Sequence, residues 1–78
     1  MRMKRRGHIS DGRVSRQEGD IVKISKPARD GVKRETGITI SQSAIGIVRK
    51  LAWDTNWYAI VEISGQQFYF SLGDLISV

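Results

Sequence analysis

The chain has 78 residues, no cysteine and a formal net charge of +5 at pH 7. This length allows one domain, and the lack of cysteine excludes disulfides and thiolate metal sites. No apolar run approaches the roughly 20 residues that a membrane-spanning helix needs, so we expect a soluble, cytoplasmic protein.

The N-terminal segment, residues 1–18, holds most of the net charge. It carries six basic and two acidic side chains, a net of +4, whereas residues 19–78 carry seven basic and six acidic side chains, a net of +1. The segment has too few aliphatic side chains to offset the entropy lost on ordering. We therefore predict a flexible basic arm at 1–18 and a folded domain at 19–78. The cations of the arm, all candidate contacts to a binding partner, are Arg2, Lys4, Arg5, Arg6, Arg13 and Arg16.

Short runs rich in β-branched and aromatic residues predict five strands after the arm. The predicted strands span residues 20–25, 44–51, 57–63, 67–71 and 75–78. Residues 72–74 are predicted as a single 3₁₀ turn. Residues 25–43, which include Pro27, are predicted as a long loop. Within this loop, residues 37–40 are expected to pair over a short stretch as one arm of a twisted hairpin. No stretch of the chain shows a sustained helical period.

The long loop and the hairpin tips supply the other candidate contacts. Long connections in compact domains tend to be functional or mobile, and this one adds Lys26, Arg29, Lys33 and Arg34. Trp53 is expected to be exposed at a hairpin tip, close in sequence to Arg49 and Lys50. Tyr69 alternates with buried neighbours and is expected to point outward. Gly46 predicts a close backbone approach or a bulge.

Four segments together resemble an SH3-like small barrel. They are Gly19-Asp20-x-Val22-x-Ile24, Gly46-x-Val48, Tyr58-Ala59-Ile60-Val61 and Phe70-x-Leu72-x-x-Leu75-x-x-Val78. The resemblance covers residues 19–78. It implies an all-β, five-strand barrel with a long first loop, whose closure removes the exposed edges of the sheet.

Two binding functions follow from this resemblance and from the charge. The segment Gly46-Ile47-Val48 resembles the core of KOW-type barrels of ribosomal and transcription proteins, and a cationic arm and loop would neutralise phosphates while exposed aromatic rings stack on bases. Non-enzymatic nucleic-acid binding is therefore the favoured prediction. The ending Phe-x-Leu-x-x-Leu-x-x-Val resembles accessory subunits of photosynthetic electron-transfer complexes. The alternative is therefore a docking module or accessory subunit that recognises an acidic protein partner, either a member of such a complex or a host factor.

A third resemblance is enzymatic. Gly19-Asp20-x-Val22, Tyr58-Ala59 and Gln67-Phe68-Tyr69 resemble type II dihydrofolate reductases, which are homotetramers with a central pore. The resemblance implies that Gln67, Phe68 and Tyr69 contact folate and nicotinamide cofactor, with either Lys23 or Lys26 as the lysine of that family. Outside this minor alternative we predict no catalytic residue, cofactor or metal, because the only histidine, His8, lies in the predicted arm, where a general base is not held in place. The oligomeric state stays open.

Overall fold

The structure, a computed structural model, describes residues 8–10 and 15–78. In chain order its elements are β1 (His8–Ser10), β2 (Ser15–Gln17), β3 (Ile21–Ile24), α1 (Lys26–Thr36), β4 (Gly46–Trp53), β5 (Trp57–Ile63), β6 (Gln66–Ser71), a 3₁₀ turn (Leu72–Asp74) and β7 (Leu75–Ser77).

Five of the strands form one antiparallel sheet in the order β6-β5-β4-β3-β7. The mainly β fold predicted from the sequence is confirmed, and each predicted strand occurs with bounds shifted by at most two residues. Within the described residues no ladder joins β6 to β7, so these two strands are the edges of the sheet and the predicted closure is not found. Strands β1 and β2 pair with each other in a separate two-stranded sheet.

The helix α1 occupies the segment for which the sequence predicted a loop. Ser25 is its N-cap, with a side chain that accepts a hydrogen bond from the backbone N–H of Ala28 at 3.4 Å. Pro27 lies in the first turn, where its missing N–H costs no helical hydrogen bond. Gly37, with φ 79°, ends the helix by donating its N–H to the carbonyl oxygen of Lys33, as is usual for a left-handed C-terminal glycine. The loop prediction is therefore wrong for residues 26–36, and residues 37–40 form no strand.

The hydrophobic core lies on one face of the five-stranded sheet, which α1 partly covers with Ala28 and Val32. Its buried side chains are Val22, Ile24, Ile40, Val48, Ala59, Val61, Ile63, Phe70, Leu72 and Leu75. Trp57 is half-buried against this core, on the same face as Ala59, Val61 and Ile63, as two-residue alternation along β5 requires. We call the opposite, less covered side the outer face of the sheet.

Two features of β4 fix how this core packs. Gly46 confirms the predicted close approach, because a Cβ there would overlap the side chain of Val61 and lie 2.9 Å from Cγ1 of Ile63. A bulge follows between Val48, which pairs with Val61, and Lys50, which pairs with Ile60. The extra residue bends the strand and reverses which of its side chains face the core.

Candidate nucleic-acid interface

The four cations predicted in the loop are gathered by α1 on one side. Lys26, Arg29, Lys33 and Arg34 stand at helical positions i, i+3, i+7 and i+8, which share a face. The packing of Ala28 and Val32 against the core turns this face to solvent. We call these four residues the cationic face of α1. Asp30 is the one acidic residue of α1 on this side, because Glu35 lies at the opposite helical position.

Hydrogen bonds within the chain hold three of these cations, of which Lys26 and Arg29 lie nearest the N-terminus of α1. Lys26 Nζ lies 2.9 Å from Asp30 Oδ2, and both side chains are more than half exposed. The hydrogen bond from Lys26 lowers the pKa of Asp30 below its usual value of 3.8. Arg29 Nη1 donates to the carbonyl oxygen of Ile24 at 2.8 Å.

The remaining two cations of this face lie in the last turn of α1. Lys33 Nζ donates to Thr39 Oγ1 at 3.3 Å. Arg34 is exposed, and its guanidinium lies beside the backbone at Gly31. Cations in this position also interact favourably with the negative end of the helix dipole, so stabilisation of the helix accounts for part of their placement.

Arg16 is engaged by the chain itself, contrary to the prediction of a free cation. Its side chain is 3% exposed. Nη2 donates to the carbonyl oxygen of Leu75 and Nη1 to Ser77 Oγ, both at 2.6 Å. These bonds fasten β2 to β7, so Arg16 belongs to the packed domain. The arm cations Arg2, Lys4, Arg5, Arg6 and Arg13 lie outside the described residues.

Arg49 and Lys50 make different contacts because the bulge in β4 lies at Arg49. Arg49 is the extra residue, and its Nε donates to Glu62 Oε1 at 3.0 Å on the outer face. Lys50 is exposed and pairs with Ile60, which pairs in turn with Tyr69 on the next strand. Lys50 and Tyr69 therefore share one row of the outer face.

The predicted aromatic contacts lie on opposite faces of the sheet. Tyr69, 69% exposed, lies on the outer face with its ring centroid 5.7 Å from that of Tyr58. Trp53, 58% exposed, pairs with Trp57 at 5.3 Å on the core side of the sheet. Tyr58 is half-buried beside Tyr69 on the outer face, as its alternation with Ala59 predicts.

Two further features of the described residues concern metal sites and membrane-spanning helices. Residues 8–10 and 15–78 contain no group of three histidine, aspartate or glutamate side chains that could hold a metal ion. No helix among them is long and apolar enough to cross a bilayer. Comparison with protein-family models, with curated proteins and with solved structures finds no match for this chain.

Proposed function

We propose that this protein binds nucleic acid without catalysing a reaction, with phosphates held on the cationic face of α1. The observation that carries the proposal is the placement of Lys26, Arg29, Lys33 and Arg34 on one solvent-facing side of a single helix. Clustering of lysine and arginine along a helix is the electrostatic pattern typical of phosphate binding. The net charge of +4 on residues 1–18 adds attraction that does not depend on base sequence.

The internal bonds of this face are weak enough to yield to phosphates. An exposed ion pair such as Lys26–Asp30 contributes about 0–1 kcal/mol. A phosphate contact releases condensed counterions from the nucleic acid, and this gain increases as salt is lowered. Four phosphate contacts on a single strand give a slope of log K against log salt of about −2.8 before the arm is counted.

Base contacts are assigned to the tyrosine pair on the outer face. Tyr69 presents most of its ring to solvent, Tyr58 supports it at 5.7 Å, and Lys50 stands in the same row. Stacking of a base on an aromatic ring contributes about 1–3 kcal/mol and needs bases that are not paired in a duplex. The proposed ligand is therefore a single strand in preference to a duplex.

The phosphate contacts are tested by fluorescence anisotropy with a labelled 15-nucleotide single strand at several salt concentrations. Arg34→Gln removes one charge from the cationic face, and Lys23→Gln removes one charge from the outer face near β7. We expect Arg34→Gln to make the salt slope shallower by about 0.7 for a single strand and Lys23→Gln to leave it unchanged. Equal effects of the two variants would refute the assignment to α1.

The base contacts are tested by replacing one exposed ring on each face. Tyr69→Ala is expected to weaken single-strand binding by about 5- to 150-fold, from the stacking energy of one base. Trp53→Ala removes a ring of similar exposure on the core side of the sheet and is expected to change binding less than twofold. A larger loss for Trp53→Ala would contradict the proposal.

A second candidate function, docking to an acidic protein, is favoured by a different observation. Ile21, Ile45 and Ile76 are each 45–49% exposed, and the ladders place Ile21 beside Ile47 and Ile76 beside Lys23 on the outer face. Exposed aliphatic side chains contribute nothing to phosphate binding but are typical of protein contacts. Ile76→Ser tests this candidate, because it would weaken a protein complex and leave nucleic-acid affinity unchanged.

We also propose that the fold is an SH3-like small barrel. Its support is the strand order, in which a β4-β5-β6 meander is followed by a 3₁₀ turn and a last strand that pairs with β3. A strongly twisted sheet of this order wraps around a single core. An experimental structure with an untwisted sheet would contradict this assignment.

A further inference from the structure

The open edge of β6 presents backbone groups without partners among the described residues. The turn between β5 and β6 has two residues with positive φ, Ser64 at 52° and Gly65 at 81°, as in a two-residue type I′ hairpin. In such a hairpin Ile63 and Gln66 form a hydrogen-bonded pair, and the pattern alternates from there along the ladder. The N–H and C=O groups of Gln67, Tyr69 and Ser71 therefore point away from β5, and no other described strand pairs with β6.

The other edge strand, β7, has a hydrogen-bond donor for one of its outward-facing carbonyl groups. Ser25 donates its N–H to the carbonyl oxygen of Asp74, so the alternation along β3 and β7 leaves the carbonyl of Leu75 facing away from β3. Arg16 donates to that carbonyl. An arginine thus covers the β7 edge, as folded proteins commonly do to prevent unwanted strand pairing, whereas the β6 edge stays open.

A groove separates the β6 edge from α1. One cavity of about 290 Å³ lies between Pro27–Val32 of α1 and Tyr69–Ser71 of β6. A second, of about 250 Å³, lies between Val32–Thr36 and Gln67–Tyr69. We call these two cavities together the β6–α1 groove. They share Val32, Glu35 and Tyr69, so the groove follows the open edge over most of its length.

Only acidic residues contribute charge to this groove. Glu35 borders both cavities, and Asp74 borders the first. Asp74 accepts one hydrogen bond of 3.4 Å from the Ser25 hydroxyl. No lysine or arginine lines the groove within the part of the chain described. The groove is therefore acidic, with Glu35 on the side of α1 that faces β6 and Asp74 in the 3₁₀ turn.

We propose that the β6–α1 groove binds an extended basic segment of a partner protein, which pairs with β6 as a sixth strand. Its backbone would bond to Gln67, Tyr69 and Ser71, and its lysine or arginine side chains would face Glu35 and Asp74. Three bonding positions at alternate residues require about five residues of extended chain, roughly 17 Å. Backbone bonds supply affinity in this mode of recognition and side-chain pockets supply specificity. The site goes beyond the proposed nucleic-acid function, since its carboxylates repel phosphates.

The test uses three acetylated and amidated heptapeptides and the full chain. The first alternates lysine with valine, the second alternates glutamate with valine, and the third repeats the first with alternate backbone amides N-methylated. Binding is measured by calorimetry, and the contact is located by shifts of the Gln67, Tyr69 and Ser71 amide signals in a ¹⁵N spectrum. The lysine peptide is expected to bind and to shift these three signals, and the other two peptides are expected to bind at least tenfold more weakly.

Variants separate this site from the nucleic-acid interface. Glu35→Gln with Asp74→Asn keeps the size of both side chains and is expected to weaken the lysine peptide by about three- to tenfold. Glu18→Gln, outside the groove, is expected to leave peptide affinity unchanged, as is Arg34→Gln on the cationic face. The proposal is overturned if the lysine peptide does not bind, if N-methylation has no effect, or if the glutamate peptide binds as tightly. Because Arg34→Gln affects only the nucleic-acid assay, either proposal can fail alone.

Discussion

Gly46→Ala offers a direct test of the core packing, because it adds one methyl group at a point of β4 that lies in close contact with β5. The new Cβ would overlap the buried side chain of Val61 and approach Ile63 Cγ1 to 2.9 Å and the Glu62 carbonyl oxygen to 3.3 Å. Val61 is fully buried and Ile63 is 6% exposed, and buried side chains are closely packed by their neighbours. The added methyl group must therefore displace β5 or force its side chains from their preferred rotamers.

Overpacking of this kind costs about 1–3 kcal/mol. For a domain of 60–100 residues this corresponds to a loss of roughly 5 to 20 °C in Tm. Thermal unfolding followed by circular dichroism measures the change, with urea unfolding to confirm that the free energy of unfolding has fallen.

Gly31→Ala is the matched control, since it makes the same substitution in α1. Its Cβ would meet only the guanidinium of Arg34 at 3.7 Å, and alanine favours a helix over glycine by about 1 kcal/mol. We therefore expect Gly31→Ala to raise the Tm while Gly46→Ala lowers it. A Gly46→Ala variant as stable as the parent chain would refute the close approach of β4 and β5.

Three further predictions concern the termini of α1 and the attachment of β2. Ser25→Ala is expected to cost about 1 kcal/mol of unfolding free energy in urea titrations, because it removes the N-cap acceptor of α1; no change would mean that the cap is not formed. The pKa of Asp30 lies below 3.8, so its ion pair with Lys26 contributes stability above that pH and loses it as the pH falls through the lowered pKa. A carboxyl ¹³C titration is expected to show this pKa rising toward 3.8 in Lys26→Gln, and an unchanged pKa would contradict the pair. Arg16→Gln removes two hydrogen bonds to β7, one buried and one partly buried, and is expected to lower the Tm and to speed amide exchange in β2; wild-type exchange would show that β2 does not depend on Arg16.

The strands could be predicted from the sequence because each carries its own local signal. The alternation from Trp57 to Ile63 matches the observed burial, with Ala59, Val61 and Ile63 buried. The Ser64-Gly65 turn fixes the hairpin register locally, since both residues adopt positive φ. The outward direction of Tyr69 followed from the same two-residue period, and the exposure of Trp53 followed from its place at a hairpin tip.

The helix α1 was missed although its signals were present. The predicted loop included Pro27, but proline is favoured in the first turn of a helix. Ser25 before it and Gly37 after it match the usual N-cap and C-terminal residues. A spacing of i, i+3, i+7 and i+8 among the four cations was the further sign of a helical face.

The role of Arg16 and the open edge of β6 depend on tertiary contacts. Arg16 bonds to residues 59 and 61 positions later in the chain, and no local pattern in the N-terminal segment indicates such a partner. The closure of the sheet likewise depends on the geometry of strands that are distant in sequence. The register of each hairpin is set by residues close in sequence, whereas the relation between the two edge strands is set by residues far apart in sequence.

The most direct test of the proposed function is the salt dependence of nucleic-acid binding after three cations of α1 are replaced together. Lys26→Gln, Lys33→Gln and Arg34→Gln leave residues 1–18 intact, and circular dichroism verifies that the helix still forms. Each lost phosphate contact makes the slope of log K against log salt shallower by about 0.7 on a single strand, so the triple variant is predicted to lose about 2.1. A slope equal to that of the parent chain would show that α1 does not contact phosphates.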